Sequence, residues 1–244
     1  MIFNLFKSKP ALRELIPNGF VDIHSHILPN VDDGAKDIIE SKTLIKNMRE
    51  LGFSKIIGTP HTYTGLYNNN YDTINNSFLE LKKNLKNCSQ ISFASEYMLE
   101  EELIEKTRNK NLLCLKDNFV LVEMSYISAP MNLYEIIYEI KVNGYKPILA
   151  HPERYMFYKN NFKEYYKLKK YGCLFQGNLL SFTGYYGSLV SRISEKLLNY
   201  NLFDFVGSDI HKISHIKAFN EKININNISE LEKIISKNIE FFGD

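Results

Sequence analysis

Phe20-Val-Asp-Ile-His-Ser-His-Ile-Leu-Pro-Asn-Val-Asp-Asp-Gly34 reads as a short strand that runs out into polar residues at its C-terminal end. The spacing of His24 and His26 puts both imidazoles on one face of extended backbone. The same form recurs down the chain. β-rich runs are predicted at 20–23, 55–57, 91–94, 119–122, 147–150, 173–176 and 203–206. Amphipathic helical stretches separate most of them. Residues 37–51 open with Asp37 three residues before Glu40, a capping-box arrangement, and end at Gly52. Residues 72–87 set Ile74, Phe78, Leu81 and Leu85 on one face. Residues 133–142, 188–198 and 229–237 are three more. This alternation predicts an α/β protein with mainly parallel strands. Seven βα units close into a barrel or lie open as a doubly wound sheet, and periodicity alone does not choose between them.

The chain has 244 residues, 44% hydrophobic and 24% charged, which fits one globular domain with a sizeable core and excludes a disordered chain. Residues 1–18 read as an appendage to the first strand. A net charge of +2 gives no global field for nucleic acid or a membrane surface. No apolar run is long enough to span a bilayer, and Met1 to Phe6 is too short for a signal h-region. Cys88, Cys114 and Cys173 form no Cys-x-x-Cys pair, a usage that suits a reducing cytoplasm.

The chemistry collects at the C-terminal ends of the predicted strands, the face that carries the active site in α/β barrels. His24, His26, Asp32 and Asp33 follow the first strand, His61 the second, Glu96 the third and Glu123 the fourth. His151 ends the fifth, and Asp209 with His211 follows the seventh. A lone His-x-His is a weak signal, and Glu96 or Glu123 alone reads as a strand-end charge or a helix cap. His215 alone reads as an ordinary helix-start histidine. Five of six histidines at strand ends, together with carboxylates, is a coincidence that burial does not explain. Such a set can hold more than one divalent ion. Other schemes fit worse. No cysteine has an arginine six positions on, which excludes a cysteine phosphatase, and no Gly-x-Ser-x-Gly elbow exists for a serine hydrolase. Neither Gly-x-Gly-x-x-Gly nor a P-loop follows any strand.

Six motifs in order carry a resemblance: residues 22–34, Gly-Thr-Pro-His (58–61), Ser-Glu-Tyr (95–97), Val-Glu-Met (122–124), Leu-Ala-His-Pro-Glu-Arg-Tyr (149–155) and Gly-Ser-Asp-Ile-His (207–211). Over about residues 20–220 the chain resembles the polymerase-and-histidinol-phosphatase (PHP) superfamily. More narrowly it resembles the metal-dependent bacterial protein-tyrosine phosphatases of capsule and exopolysaccharide loci.

The resemblance implies a distorted seven-stranded (βα)7 TIM-like barrel of PHP type spanning the chain as one domain. It also implies three divalent ions. Manganese is the preferred identity for so imidazole-rich a set, with iron, zinc, cobalt and magnesium as alternatives. By motif position His24, His26, Glu96 and Asp209 would hold the first ion, and Glu96 would bridge to a second held by Glu123 and His151. Asp33, His61 and His211 would hold the third, with Asp32 the alternative to Asp33. Arg154 matches the arginine that binds the phosphoryl group, the one catalytic side chain outside the metal set. A second arginine common after the last histidine is missing, and His215 or Lys217 are its candidate replacements.

The implied reaction is hydrolysis of phosphotyrosine by metal-activated water, without a covalent intermediate. The implied substrate is the tyrosine-rich tail of a bacterial autokinase, in the cytoplasm. The tyrosines of Thr62 to Tyr71 offer either a cleft wall that stacks on the substrate ring, through Tyr63, Tyr67 or Tyr71, or a mobile surface loop. Two rivals stand beside this reading: a small-molecule phosphoesterase such as a histidinol-phosphatase type, and a non-catalytic binding module stabilised by metals.

Overall fold

The computed structural model describes residues 8–243. Residues 1–7 of the expected N-terminal appendage, Met1 to Phe6 among them, lie outside the described residues. The part described forms a short helix, Leu12–Leu15, whose Leu12 and Arg13 amides donate to the carbonyls of Glu221 and Phe219.

Among the described residues nine strands run β1 (Phe20–Ser25), β2 (Phe53–Gly58), β3 (His61–Thr62), β4 (Ile91–Phe93), β5 (Glu96–Met98), β6 (Phe119–Glu123), β7 (Lys146–Ala150), β8 (Leu174–Asn178) and β9 (Phe205–Gly207). Every pairing between them is parallel. All seven predicted runs overlap strands, and five are buried through their length or nearly so, as sheets covered on both faces require. The α/β class with parallel sheets is as the sequence led us to expect.

The ladders differ from the expected single ring of seven. They fall into a three-stranded sheet, β1-β2-β4, and a six-stranded sheet, β3-β5-β6-β7-β8-β9. The reason lies in two breaks. Pro60 has no N–H to donate, so the ladder stops after Gly58 and resumes at His61. The partner strand breaks beside it, between Phe93 and Glu96. Backbone bonds bridge both gaps: Thr59 N–H to Ser25 O, Ala94 N–H to Gly58 O and Glu96 N–H to Pro60 O. The last strand meets the first through one bridge, Ser25 to Ile210, flanked by Asp209 N–H to His24 O and His26 N–H to Ile210 O. That approach needs Gly207, where a Cβ would sit 2.7 Å from that of His24.

The five predicted helices occur as Ile38–Glu50, Tyr71–Asn84, Leu133–Val142, Ser188–Asn199 and Ile228–Phe242. Asp37 caps the first through the Ile39 and Glu40 amides at 2.8 Å each. Glu40 answers to the Lys36 amide rather than to the cap residue itself. Helices Glu102–Arg108, Lys163–Lys170 and Ile213–Ala218 were not predicted; each has eight residues or fewer, too short for a clear period.

Candidate metal centre

All nine metal-binding candidates of the sequence converge at one end of the sheets, most at or just past the C-terminal ends of β1, β6, β7 and β9, with His61 and Glu96 at the starts of β3 and β5. They form four overlapping groups whose ligand atoms lie within 4.8 Å of one another: His26, Asp33, His61 and His211; His24, His151 and Asp209; His24, His26 and Glu96; His61, Glu96 and Glu123. The partition differs from the motif-based one: His26 also joins Asp33, His61 and His211. Glu123 stands with His61, whose Nδ1 is 2.8 Å from its Oε1, and His151 stands with His24 and Asp209. His151 still reaches Glu96 Oε1, at 3.2 Å from Nε2.

Local backbone aims these groups. His151 and Asp209 leave their strands in left-handed conformation, φ 35° and 52°. For non-glycine residues that geometry costs about 1–3 kcal/mol and persists only where the surroundings hold it. Asp32 and Asp33 are adjacent yet differently placed. Asp32 is turned inward, with Oδ2 accepting from His26 Nδ1 at 2.7 Å and from the His61 amide at 3.1 Å. Its Oδ1 accepts from the Gly34 amide at 2.9 Å. Asp33 Oδ1 instead stands 3.4 Å from Nε2 of both His61 and His211. A Cβ on Gly34 would strike the His26 carbonyl at 2.2 Å, so glycine is required for this turn.

The donor chemistry fits divalent cations. His24 Nδ1 is 2.7 Å from Gln176 Oε1, and His26 Nδ1 has the Asp32 carboxylate; both partners only accept, so both Nδ1 atoms donate. In the neutral imidazoles the two Nε2 atoms carry lone pairs, and they face each other at 3.2 Å. Glu96 Oε2 is 3.2 and 3.5 Å from them, and Asp209 Oδ1 3.3 Å from each. Buried lone pairs pointed at one another and at carboxylates repel unless a cation stands among them. The same need appears at Glu96 Oε2, His61 Nδ1 and His151 Nδ1, buried atoms without an aligned hydrogen-bond partner.

The pKa directions reflect the crowding. Burial alone would push the His24 and His26 imidazoles down, but Glu96 and Asp209 around His24, and Asp32 beside His26, raise both. Against burial, His24 and His61 hold Glu96 well below the usual carboxylate range. Burial and then the charge of Glu96 push Glu123 up.

Above the cluster opens a cleft of about 250 Å³, lined by Asp33, His61, His151, Asp209 and His211 with Tyr126, Arg154, Tyr186, Lys212 and His215. Arg154 Nη1 donates to Asp209 Oδ2 at 2.6 Å. The carboxylate nearest in sequence, Glu153, is buried and binds the Asn178 amide and Ser181 hydroxyl instead. Of the two candidates for a second cation, His215 lines the cleft and Lys217 lines a separate hollow. Burial pushes the His215 imidazole down to about 4, so near neutral pH it is uncharged. Lys212, which sequence reasoning missed, stands in the cleft; its adjacency to His211 was the available signal. Tyr126 and Tyr186 were missed as well. Among the loop tyrosines Tyr67 stacks on His61 with centroids 5.6 Å apart, whereas Tyr71 lies in another hollow. None of the three cysteines lines the cleft; burial pushes the Cys114 and Cys173 thiols up to about 11 and about 12.

Parallel strands whose C-terminal ends gather imidazoles, carboxylates and an arginine around a small polar cleft define a metal-dependent hydrolase-type centre on an α/β scaffold. Residues 20–227 match the capsular polysaccharide synthesis family CpsB/CapC, and the chain belongs to that family. CapC of Staphylococcus aureus is 32% identical over 199 residues, covering 80% of this chain and 78% of that protein. Tyrosine-protein phosphatase YwqE of Bacillus subtilis is 30% identical, covering 79% of this chain and 78% of that protein. A crystal structure from work on YwqE and Streptococcus pneumoniae CpsB, described as unique metal-dependent tyrosine phosphatases, superposes with a TM-score of 0.75 at 28% identity. It covers 92% of this chain and 88% of that one.

Proposed function

We propose that this chain is a metal-dependent protein-tyrosine phosphatase that hydrolyses phosphotyrosine on a bacterial tyrosine autokinase controlling capsule or exopolysaccharide synthesis. The observation that carries the reading is the cleft itself: five of the nine clustered candidate ligands, Asp33, His61, His151, Asp209 and His211, line it together with Arg154. The relatives' names as tyrosine-protein phosphatases support it. No helix among the described residues is long and apolar enough to cross a membrane, in keeping with a cytoplasmic place of action. We read the whole chain as one domain and the two sheets as a distorted seven-stranded barrel, in which β2 with β3 and β4 with β5 are each one bent strand. The bridge between Ser25 and Ile210 supports that closure.

In this reading His24, His26, Asp33, His61, Glu96, Glu123, His151, Asp209 and His211 hold three divalent ions, manganese by preference for imidazole-rich donors. Such ions supply Lewis acidity, acidifying water and drawing charge from phosphoryl oxygens. The chain's own side chains do the rest. Arg154 offers its unshared N–H groups to the equatorial oxygens, where charge gathers as the phenolate departs. Gln176 and Asp32 fix the tautomers of His24 and His26, so that Nε2 of each faces inward. Tyr67, stacked on His61, offers a ring face to the substrate's phenyl group.

The test compares kcat/KM for a phosphotyrosyl peptide and for histidinol phosphate after extensive chelation and after Mn²⁺ is restored. Turnover should vanish on chelation, return with metal and favour the peptide. Full activity without metal would overturn the reading, and preference for histidinol phosphate would move it to the small-molecule rival. A metal-replete protein inert on every phosphoester would leave the binding module.

A further inference from the structure

Arg154 stands between two tyrosine rings. Its guanidinium carbon is 4.8 Å from the Tyr126 centroid and 4.2 Å from the Tyr186 centroid. The bond to Asp209 Oδ2 is the only hydrogen bond that the guanidinium makes among the described residues, although the group carries five N–H donors. The clamp is tied to the same carboxylate a second time. Asn178 Nδ2 donates to Asp209 Oδ2 at 3.0 Å and to the Tyr186 hydroxyl at 3.3 Å. Two ring faces and one carboxylate together restrict the guanidinium. What remains is an edge of N–H groups in a cleft that both tyrosines also line.

Core filling does not account for this arrangement. Tyr126 is 47% exposed and sits at the cleft mouth beside Ile127, which is 88% exposed. A long flexible cation in water samples many rotamers, and ordering it anew at each binding event weakens the contact. An arginine stacked on aromatic faces has that ordering done in advance.

We infer that Tyr126 and Tyr186 are positioning residues that hold Arg154 as a pre-oriented fork for a tetrahedral oxyanion such as a phosphoryl group. The inference rests on the proposed phosphatase reading for the identity of the anion, but its geometry is independent of turnover. Inorganic phosphate is therefore the probe.

The experiment is a double-mutant cycle on the full chain reloaded with Mn²⁺, reading phosphate affinity by calorimetry and metal content by elemental analysis. Tyr186→Leu should weaken phosphate binding about ten-fold with metal content unchanged, the scale of a desolvated cation–π contact. Tyr186→Phe, which keeps the ring, should recover most of that loss. In an Arg154→Ala background, adding Tyr186→Leu should change phosphate affinity by less than about two-fold, because the ring then has nothing to hold. An equal loss in both backgrounds, or a phenylalanine variant as weak as leucine, overturns the inference. If Tyr186→Leu does not fold, the same cycle is run with Tyr126→Leu, at an exposed ring: a loss confined to the Arg154 background supports the clamp, and an equal loss in both backgrounds overturns it. A parent protein that binds phosphate but hydrolyses no phosphotyrosyl peptide would sink the phosphatase reading and leave the clamp to be decided by the cycle.

Discussion

Replacing Asp32 by asparagine separates the two neighbouring aspartates by their physics. Every group that approaches the Asp32 carboxylate is an N–H donor: His26 Nδ1 and the His61 amide on Oδ2, the Gly34 amide on Oδ1. An amide has one acceptor oxygen. Turned toward His26 and His61 it keeps two bonds and sets its own NH₂ against the Gly34 N–H; turned the other way it loses both of the others. The better orientation leaves one buried donor unsatisfied, a cost of about 1–3 kcal/mol. Because the amide oxygen still accepts from His26 Nδ1, the tautomer survives, and metal affinity should weaken by about 10- to 100-fold.

Asp33 should behave oppositely. Its side chain is 55% exposed and meets the cluster only through Oδ1. Asp33→Ala should leave the unfolding free energy of the metal-free protein within about 0.5 kcal/mol of the parent, yet remove a ligand. Urea unfolding of chelated variants gives the first quantity and competition with a chromophoric chelator the second. Parental metal binding by Asp33→Ala would show the assignment of the two aspartates to be wrong.

Arg154→Ala should lower kcat by roughly 10² to 10³ at unchanged metal content, with Arg154→Lys recovering only part because a point charge cannot make the forked contact; a kcat for the alanine variant within about three-fold of the parent would remove Arg154 from the catalytic set. In the metal-free protein burial alone would push the His61 imidazole down, but Glu96 and Glu123 lift it to about 11. A histidine raised above its unfolded value of about 6.5 stabilises fully below that pH and loses its contribution as pH rises toward the folded value. The Tm of chelated protein should therefore fall between about pH 6.5 and 9, while metal binding tightens and releases protons over the same interval. A Tm that rises there would contradict the charge assignment.

Strand positions were legible because strands buried on both faces read as apolar runs whatever their neighbours. β3 and β5 were not, since two or three residues carry no period, and β3 is defined by the break at Pro60 rather than by composition. The clustering of the nine candidate residues was legible from a single regularity, polar residues just past predicted strand ends. The choice between Asp32 and Asp33 was not, because it depends on which way a turn at Gly34 points each carboxylate. Tyr126 lies three residues past Glu123, where the strand-end rule would have found it. Tyr186 lies eight residues beyond β8, on the far side of a 3₁₀ turn, and nothing local marks it.

The closure between β9 and β1 also bears on how the molecule is made. Ser208 donates to the Asp22 carboxylate through both its amide and its hydroxyl, across a sequence separation of 186 residues. Asn238 Nδ2, from the last helix, donates to the carbonyls of Val21 and Val206 and ties the two strands together. Contacts so distant in sequence form slowly, because a long loop must close before they stabilise anything. A chain still emerging from the ribosome holds His24 and His26 long before Asp209 and His211 exist to face them. In the proposed reading, ion loading therefore belongs after synthesis is complete, and an ion held by these residues would tie the first strand to the last.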